Sequence, residues 1–131
     1  MTIIACVDDN MGMGFNSRRQ SRDSAVIARI RSLTAGNSLW VSPYTAKLFD
    51  GDVLSAEDFL ERCGDEGFAF TELEPPGEIA RHIERIVLYR WNRTYPADVR
   101  FNLDLTGWKL VSVTEFPGTS HEKITEEIYT R

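Results

Sequence analysis

Short apolar runs alternate along this chain with polar segments whose apolar residues fall at helical spacing. Ile3-Ile4-Ala5-Cys6-Val7 is a continuous apolar run ended by Asp8-Asp9-Asn10. Such a run reads as a strand buried on both faces, as inside α/β proteins. Residues 9–22 carry Asn10, Gly12, Gly14, Asn16 and Ser17 and read as a loop. Val26, Ile27, Ile30 and Leu33 form one apolar stripe, which predicts a helix from Asp23 to Ala35 stopped by Gly36-Asn37. Leu39-Trp40-Val41 is a second buried strand. Ser42-Pro43 then opens a short helix, with Ser42 as cap and Pro43 where a missing N–H costs nothing. Ser55 with Asp58 predicts a capped helix over 56–63, ended by Gly64. Phe68-Ala69-Phe70 is a strand, Pro75-Pro76-Gly77 breaks the chain before a helix at 77–83, and Arg85–Tyr89 is a strand. The tail adds two strands, near 108–116 and 122–130, antiparallel to each other.

Strands alternating with helices and closing in a hairpin predict an α/β fold with a mixed, mostly parallel sheet covered on both faces. No repeat or linker divides the chain, so residues 1–131 are expected to form one domain. A hydrophobic content of 42% excludes intrinsic disorder. The net charge of −5 makes a nucleic-acid partner unlikely, since it repels a phosphate backbone. Cys6 and Cys63 stand in unrelated contexts, without the pattern of a disulfide framework or a zinc site. Cys6 reads as a small buried hydrophobe. No apolar run has the ~20 residues a membrane span needs. These features together lead to an expected cytoplasmic location.

The tail runs Tyr95-Pro96-Ala97-Asp98-Val99-Arg100-Phe101, then Thr106-Gly107-Trp108 into a strand, then Ser120-His121 and a closing strand. The head carries Val7-Asp8, then Met11-Gly12 or Met13-Gly14, then Asn16. In this order and spacing the chain resembles a dihydrofolate reductase over roughly two-thirds of its length. The resemblance implies a three-layer fold, with helices on both faces of the sheet and an antiparallel C-terminal hairpin. It puts Asp23 at or near the carboxylate that protonates a pterin, and Thr45 where the family has a threonine. Asp98, Phe101, Trp108, His121 and Glu126 also fall in register with the family.

The same resemblance exposes losses. The family's Pro-Trp pair is replaced by Ser17-Arg18-Arg19-Gln20-Ser21-Arg22, and its Gly-Arg after the second strand by Ser42-Pro43. Its Gly-Gly after a central strand, where backbone must approach a pyrophosphate, is replaced by Thr71-Glu72. Glutamate there adds bulk and negative charge where glycine is needed for close approach. The middle, around 50–66, is also shortened. No nicotinamide cofactor is therefore expected.

Arg18, Arg19 and Arg22, with Ser21, precede a helix start. Their cations oppose the helix dipole and suit a phosphate or carboxylate. The alternative is solvated loop arginines paired with Asp8, Asp9 or Asp23. Asp23 is either a buried general acid or the N-cap of its helix. Tyr89-Arg90-Trp91-Asn92-Arg93-Thr94-Tyr95 interleaves aromatic and basic residues. It reads as a strand end with arginine stems on aromatic faces, or as a base-stacking surface. His82 and His121 lack partners at metal spacing, and His121 is expected to brace the turn before the last strand.

The expected site is thus a groove between the 9–22 loop and the strand ending at Tyr89. Arg18, Arg19, Arg22, Thr45 and Tyr89 are its candidate binding residues and Asp23 its candidate acid. The favoured function is a binding protein that takes a small anionic ligand or a protein partner in a remnant cleft. The alternative is an enzyme acting on a small pterin- or nucleotide-like anion with Asp23 as acid.

Overall fold

The computed structural model describes residues Met1–Arg131. Its main sheet holds the parallel strands β1 (Thr2–Val7), β4 (Leu39–Val41), β5 (Leu54–Ser55), β6 (Phe68–Thr71) and β7 (Arg85–Arg90). The strands β9 (Lys109–Phe116) and β10 (Ile124–Thr130) form an antiparallel hairpin, and β10 joins the sheet antiparallel to β7. The order across the sheet is β5-β4-β6-β1-β7-β10-β9. A second sheet, in the order β3-β2-β8, joins β2 (Gly12–Phe15), β3 (Arg18–Arg19) and β8 (Val99–Arg100).

The central strands explain their own sequences. Side chains alternate across a strand. Ile3, Ala5 and Val7 of β1 enter one core with Ile86 and Leu88, while Ile4 enters the other with Val87 and Tyr89. A strand covered on both sides has no solvent face, hence the unbroken apolar run. Each fully buried isoleucine or valine contributes about 1.5–3 kcal/mol.

One face carries helix α1 (Ser24–Thr34), whose Val26 and Ile30 are fully buried, and the short α2 (Pro43–Ala46). The other face is covered by α3 (Phe59–Arg62), by Met13 of the small sheet, and by Phe101 and Leu103 from an irregular segment. No helix is long and apolar enough to cross a membrane.

Three local expectations change. Residues 9–22, read as a loop, contain the β2–β3 hairpin. Its turn residues Asn16 and Ser17 have φ of 54° and 61°. That is the paired left-handed geometry whose twist matches a tight hairpin, and Asn tolerates it well. The helix expected over 56–63 shrinks to Phe59–Arg62, because Ser55 is drawn into β5 beside Val41 and Asp58 pairs with Arg62 at 2.8 Å. The helix near 77–83 is a 3-10 segment, Gly77–His82, with no buried residue.

Candidate functional site

The loops that follow the carboxyl ends of β1, β4, β6 and β7 meet at one edge of the sheet. Crevices at such ends are the usual ligand sites of open α/β sheets. Here an open groove of about 710 Å³ is lined by Ser21, Arg22, Ser24, Lys47, Thr119 and Ser120, among others. Its inward extension holds only about 10 Å³, no more than one water needs, because Cys6, Ile27, Phe70 and Trp91 close it. The outer groove is open and lined mostly by polar residues, with Arg22 and Lys47 as its cations.

Asp23 lies at the groove's base and is buried. It caps α1, with Oδ1 accepting from the Ala25 N–H at 2.9 Å. The same oxygen accepts from the N–H and hydroxyl of Thr119, each at 2.9 Å. Oδ2 accepts from the Ser120 N–H at 2.8 Å and His121 Nδ1 at 3.0 Å, and the Ser120 hydroxyl, 3.1 Å away, shares its one hydrogen with the Arg22 carbonyl at 2.9 Å. Five donors and a shared hydroxyl thus converge on one carboxylate and lock the start of α1 to the turn before β10. Burial works to raise its pKa, but the N–H groups of Thr119 and Ser120, His121 and the Ala25 N–H outweigh it and hold the carboxyl well below its usual range. Asp23 is the helix cap, and the geometry leaves it no proton to give at neutral pH.

His121 carries the cluster outward. Its ring stacks on Trp91 with centroids 4.5 Å apart. Its Nε2 meets the Tyr95 hydroxyl at 3.0 Å and Ser21 Oγ at 3.2 Å.

A second ionic cluster lies where β6 ends. The Glu72 carboxylate is buried and accepts from Arg19 Nε at 2.8 Å and Nη2 at 3.1 Å. Thr45 Oγ1 donates to it at 2.8 Å, and Ser42 Oγ backs Thr45 at 3.2 Å. The guanidinium lies 4.3 Å over the Tyr44 ring. This bidentate, stacked geometry suits arginine and would not survive a lysine.

The predicted site residues therefore separate. Arg22 faces the groove, whereas Arg18 is exposed on β3 beside Phe15 and Tyr95. Arg19 and Thr45 are spent on Glu72, not on Asp8, Asp9 or Asp23. Tyr89 does not reach the groove. It is fully buried and its hydroxyl donates to Glu126 at 2.8 Å, with Arg29 held on the same carboxylate at 2.9 and 3.1 Å. Sequence reasoning overlooked Ser21 and Tyr95 as partners of His121 and Glu72 as a partner of Arg19. No group of three His, Cys, Asp or Glu side chains is placed to hold a metal ion.

Asp8 is a third engaged carboxylate. It accepts from the N–H groups of Asn10, Gly12 and Tyr95 and from Gln20, at 2.7 to 3.1 Å. Gly12 is confined there, since a Cβ would lie 2.7 Å from that of Ala97. Burial acts upward on the pKa values of Asp8 and Glu126, yet their hydrogen bonds pull both below the ordinary 3.8 and 4.5. Groups with depressed folded-state values contribute stability above their unfolded values and lose it as pH falls through the folded ones. The melting temperature is therefore expected to hold from neutrality to about pH 5 and then fall steeply. A scan by circular dichroism checks this, and Asp23→Asn should flatten the acid limb.

No protein-family model matches the chain, and neither does any curated protein. Among solved structures it is similar to a dihydrofolate reductase from Enterococcus faecalis complexed with NADP(H) and RAB-propyl. The TM-score is 0.70 at 13% identity, over 99% of this chain and 95% of that one. The chain has the dihydrofolate reductase fold.

Proposed function

We propose that this chain uses the dihydrofolate reductase fold as a binding protein, without a nicotinamide cofactor, and that its outer groove takes a small anionic ligand. One observation carries the reading. Glu72, after β6, puts a carboxylate where the family resemblance expects glycines beside a diphosphate, and Arg19 and Thr45 already hold it. An internal anion occupies the donors that an external phosphate would need, and its charge repels a second one. Arg22 and Lys47 remain as the groove cations that orient a ligand of modest size. A flat bicyclic pterin has no inner slot to enter, since that extension is filled. The reading with Asp23 as acid has less support, because its carboxylate is saturated with donors.

Titrating NADPH by its fluorescence is expected to give no saturable binding. Thermal-shift screening of phosphates and carboxylates should find stabilising anions, with ~2.7 kcal/mol of stabilisation at a hundred times the dissociation constant. Arg22→Glu with Lys47→Glu should remove that shift. Tight, saturable NADPH binding would overturn the proposal.

A further inference from the structure

The cluster around His121 has a directionality that bracing a turn does not require. Asp23 is an ionised acceptor, so His121 Nδ1, 3.0 Å away, must be the donor. In the neutral ring Nε2 is then the acceptor, and it faces two hydroxyls, Ser21 at 3.2 Å and Tyr95 at 3.0 Å. Ser21 lines both the groove and its inward extension. Trp91 and the surrounding burial keep water from the imidazole, whose residue is 5% exposed. A buried carboxylate orients an imidazole, the imidazole accepts from a hydroxyl, and the serine that bears it lines a cavity. That is the geometry by which a serine is activated, whatever the fold that carries it.

We propose that Ser21, His121 and Asp23 form a nucleophilic site that cleaves small carboxylic esters bound in the groove. Ser21 Oγ forms a bond to the ester carbonyl carbon and its proton passes to His121 Nε2. The carbonyl electron pair moves to oxygen. The intermediate collapses by breaking the bond to the alkoxy group, which leaves as an alcohol with the proton from Nε2. Water then attacks the Ser21 ester by the same route and releases the carboxylic acid, restoring Ser21. Asp23 is the positioning residue, ionised throughout. Arg22 and Lys47 supply positive charge beside the carbonyl oxygen as it becomes anionic. Cys6, in the same recess, is not the nucleophile: burial pushes its thiol pKa up, so little thiolate forms.

The inference shares the groove of the preceding proposal but not its anion. Neutral probes test it separately, so that it stands or falls whether or not any anion shifts the melting temperature. The protein is incubated with an uncharged alkyl fluorophosphonate, and the adduct is located by peptide mass mapping. One adduct per chain is expected, on Ser21, with loss of fluoride. Ser21→Ala, which removes only a hydroxyl, should abolish it. His121→Gln, confirmed folded by its circular dichroism, should slow it about a hundredfold. Tyr95→Phe removes the competing hydroxyl and should label at least as fast as the wild type. Hydrolysis of p-nitrophenyl acetate should follow the same order. No adduct, an adduct on Tyr95 or elsewhere, or labelling of Ser21 unchanged by His121→Gln would overturn the proposal.

Discussion

Replacing Asp23 by alanine is expected to be among the most damaging single changes this protein can undergo. The loss is about 3–5 kcal/mol, because a helix cap and several donors lose one shared acceptor together. Several effects combine. The N-cap of α1 disappears, which alone costs roughly 0.5–2 kcal/mol. The part-buried Thr119 and Ser120 N–H groups lose their acceptors, at up to about 1–3 kcal/mol each and less where water reaches them. His121 loses the partner that fixes its tautomer. Water entering the vacated space would recover part of this, so the contributions do not simply add. Thermal unfolding should show a melting temperature lower by roughly 10–20 °C. Asp23→Asn keeps the Oδ1 acceptor and the cap but turns an amide toward the Ser120 and His121 donors. It should lie between wild type and alanine. A loss under about 1 kcal/mol for alanine would mean that the turn at 117–121 finds other partners, and that the clamp described here is not what joins α1 to the C-terminal hairpin.

That clamp marks where sequence reasoning ran out. Asp23 as a cap was legible, because a short polar residue before an apolar helical stripe has a local meaning. Its other donors come from Thr119, Ser120 and His121, and no local pattern encodes them. The same contrast recurs elsewhere. The β1 run declared its burial on both faces, and the closing hairpin was visible in the order of the tail segments and in the family resemblance. The Ser55–Asp58 spacing resembled a cap, but sheet pairing took Ser55 and Arg62 took Asp58, so tertiary contacts overrode the motif. Within Tyr89–Tyr95 the pattern could not say which side chains point inward. Tyr89 and Trp91 are buried, Arg90 binds Glu127 at 2.5 Å, and Tyr95 meets His121. The arginine loop was the hardest case. Nearby aspartates were natural partners for Arg19 on paper, yet the chain folds it back to a glutamate at the end of a central strand. The departure at Glu72 was legible against the family resemblance as an obstacle to a diphosphate. Its pairing with Arg19 was not.

Glu72→Ala should show whether that glutamate acts as a built-in anion. The substitution leaves the Arg19 guanidinium stacked on Tyr44, 19% exposed, and frees the Thr45 hydroxyl. The orphaned cation should cost about 2–4 kcal/mol, somewhat less than a fully buried charge because Arg19 keeps some contact with water. The variant then has an empty seat with a forked cation on one side and a hydroxyl on the other, sized for one oxyanion. Inorganic phosphate or sulfate should restore a large part of the lost stability, by ~2.7 kcal/mol at a hundred times its dissociation constant, while the wild type responds far less at this site. Arg19→Ala in the same background should abolish the rescue. Glu72→Gln keeps the shape, fills the seat without charge and should show little rescue. If phosphate stabilised wild type and Glu72→Ala equally, the carboxylate would not be occupying an anion's place, and the argument against a dinucleotide on this sheet would lose its physical basis. If the rescue is confined to Glu72→Ala, then a single side chain has converted a phosphate-binding edge into a closed ionic core, leaving Arg22 and Lys47 as the charges that meet a ligand.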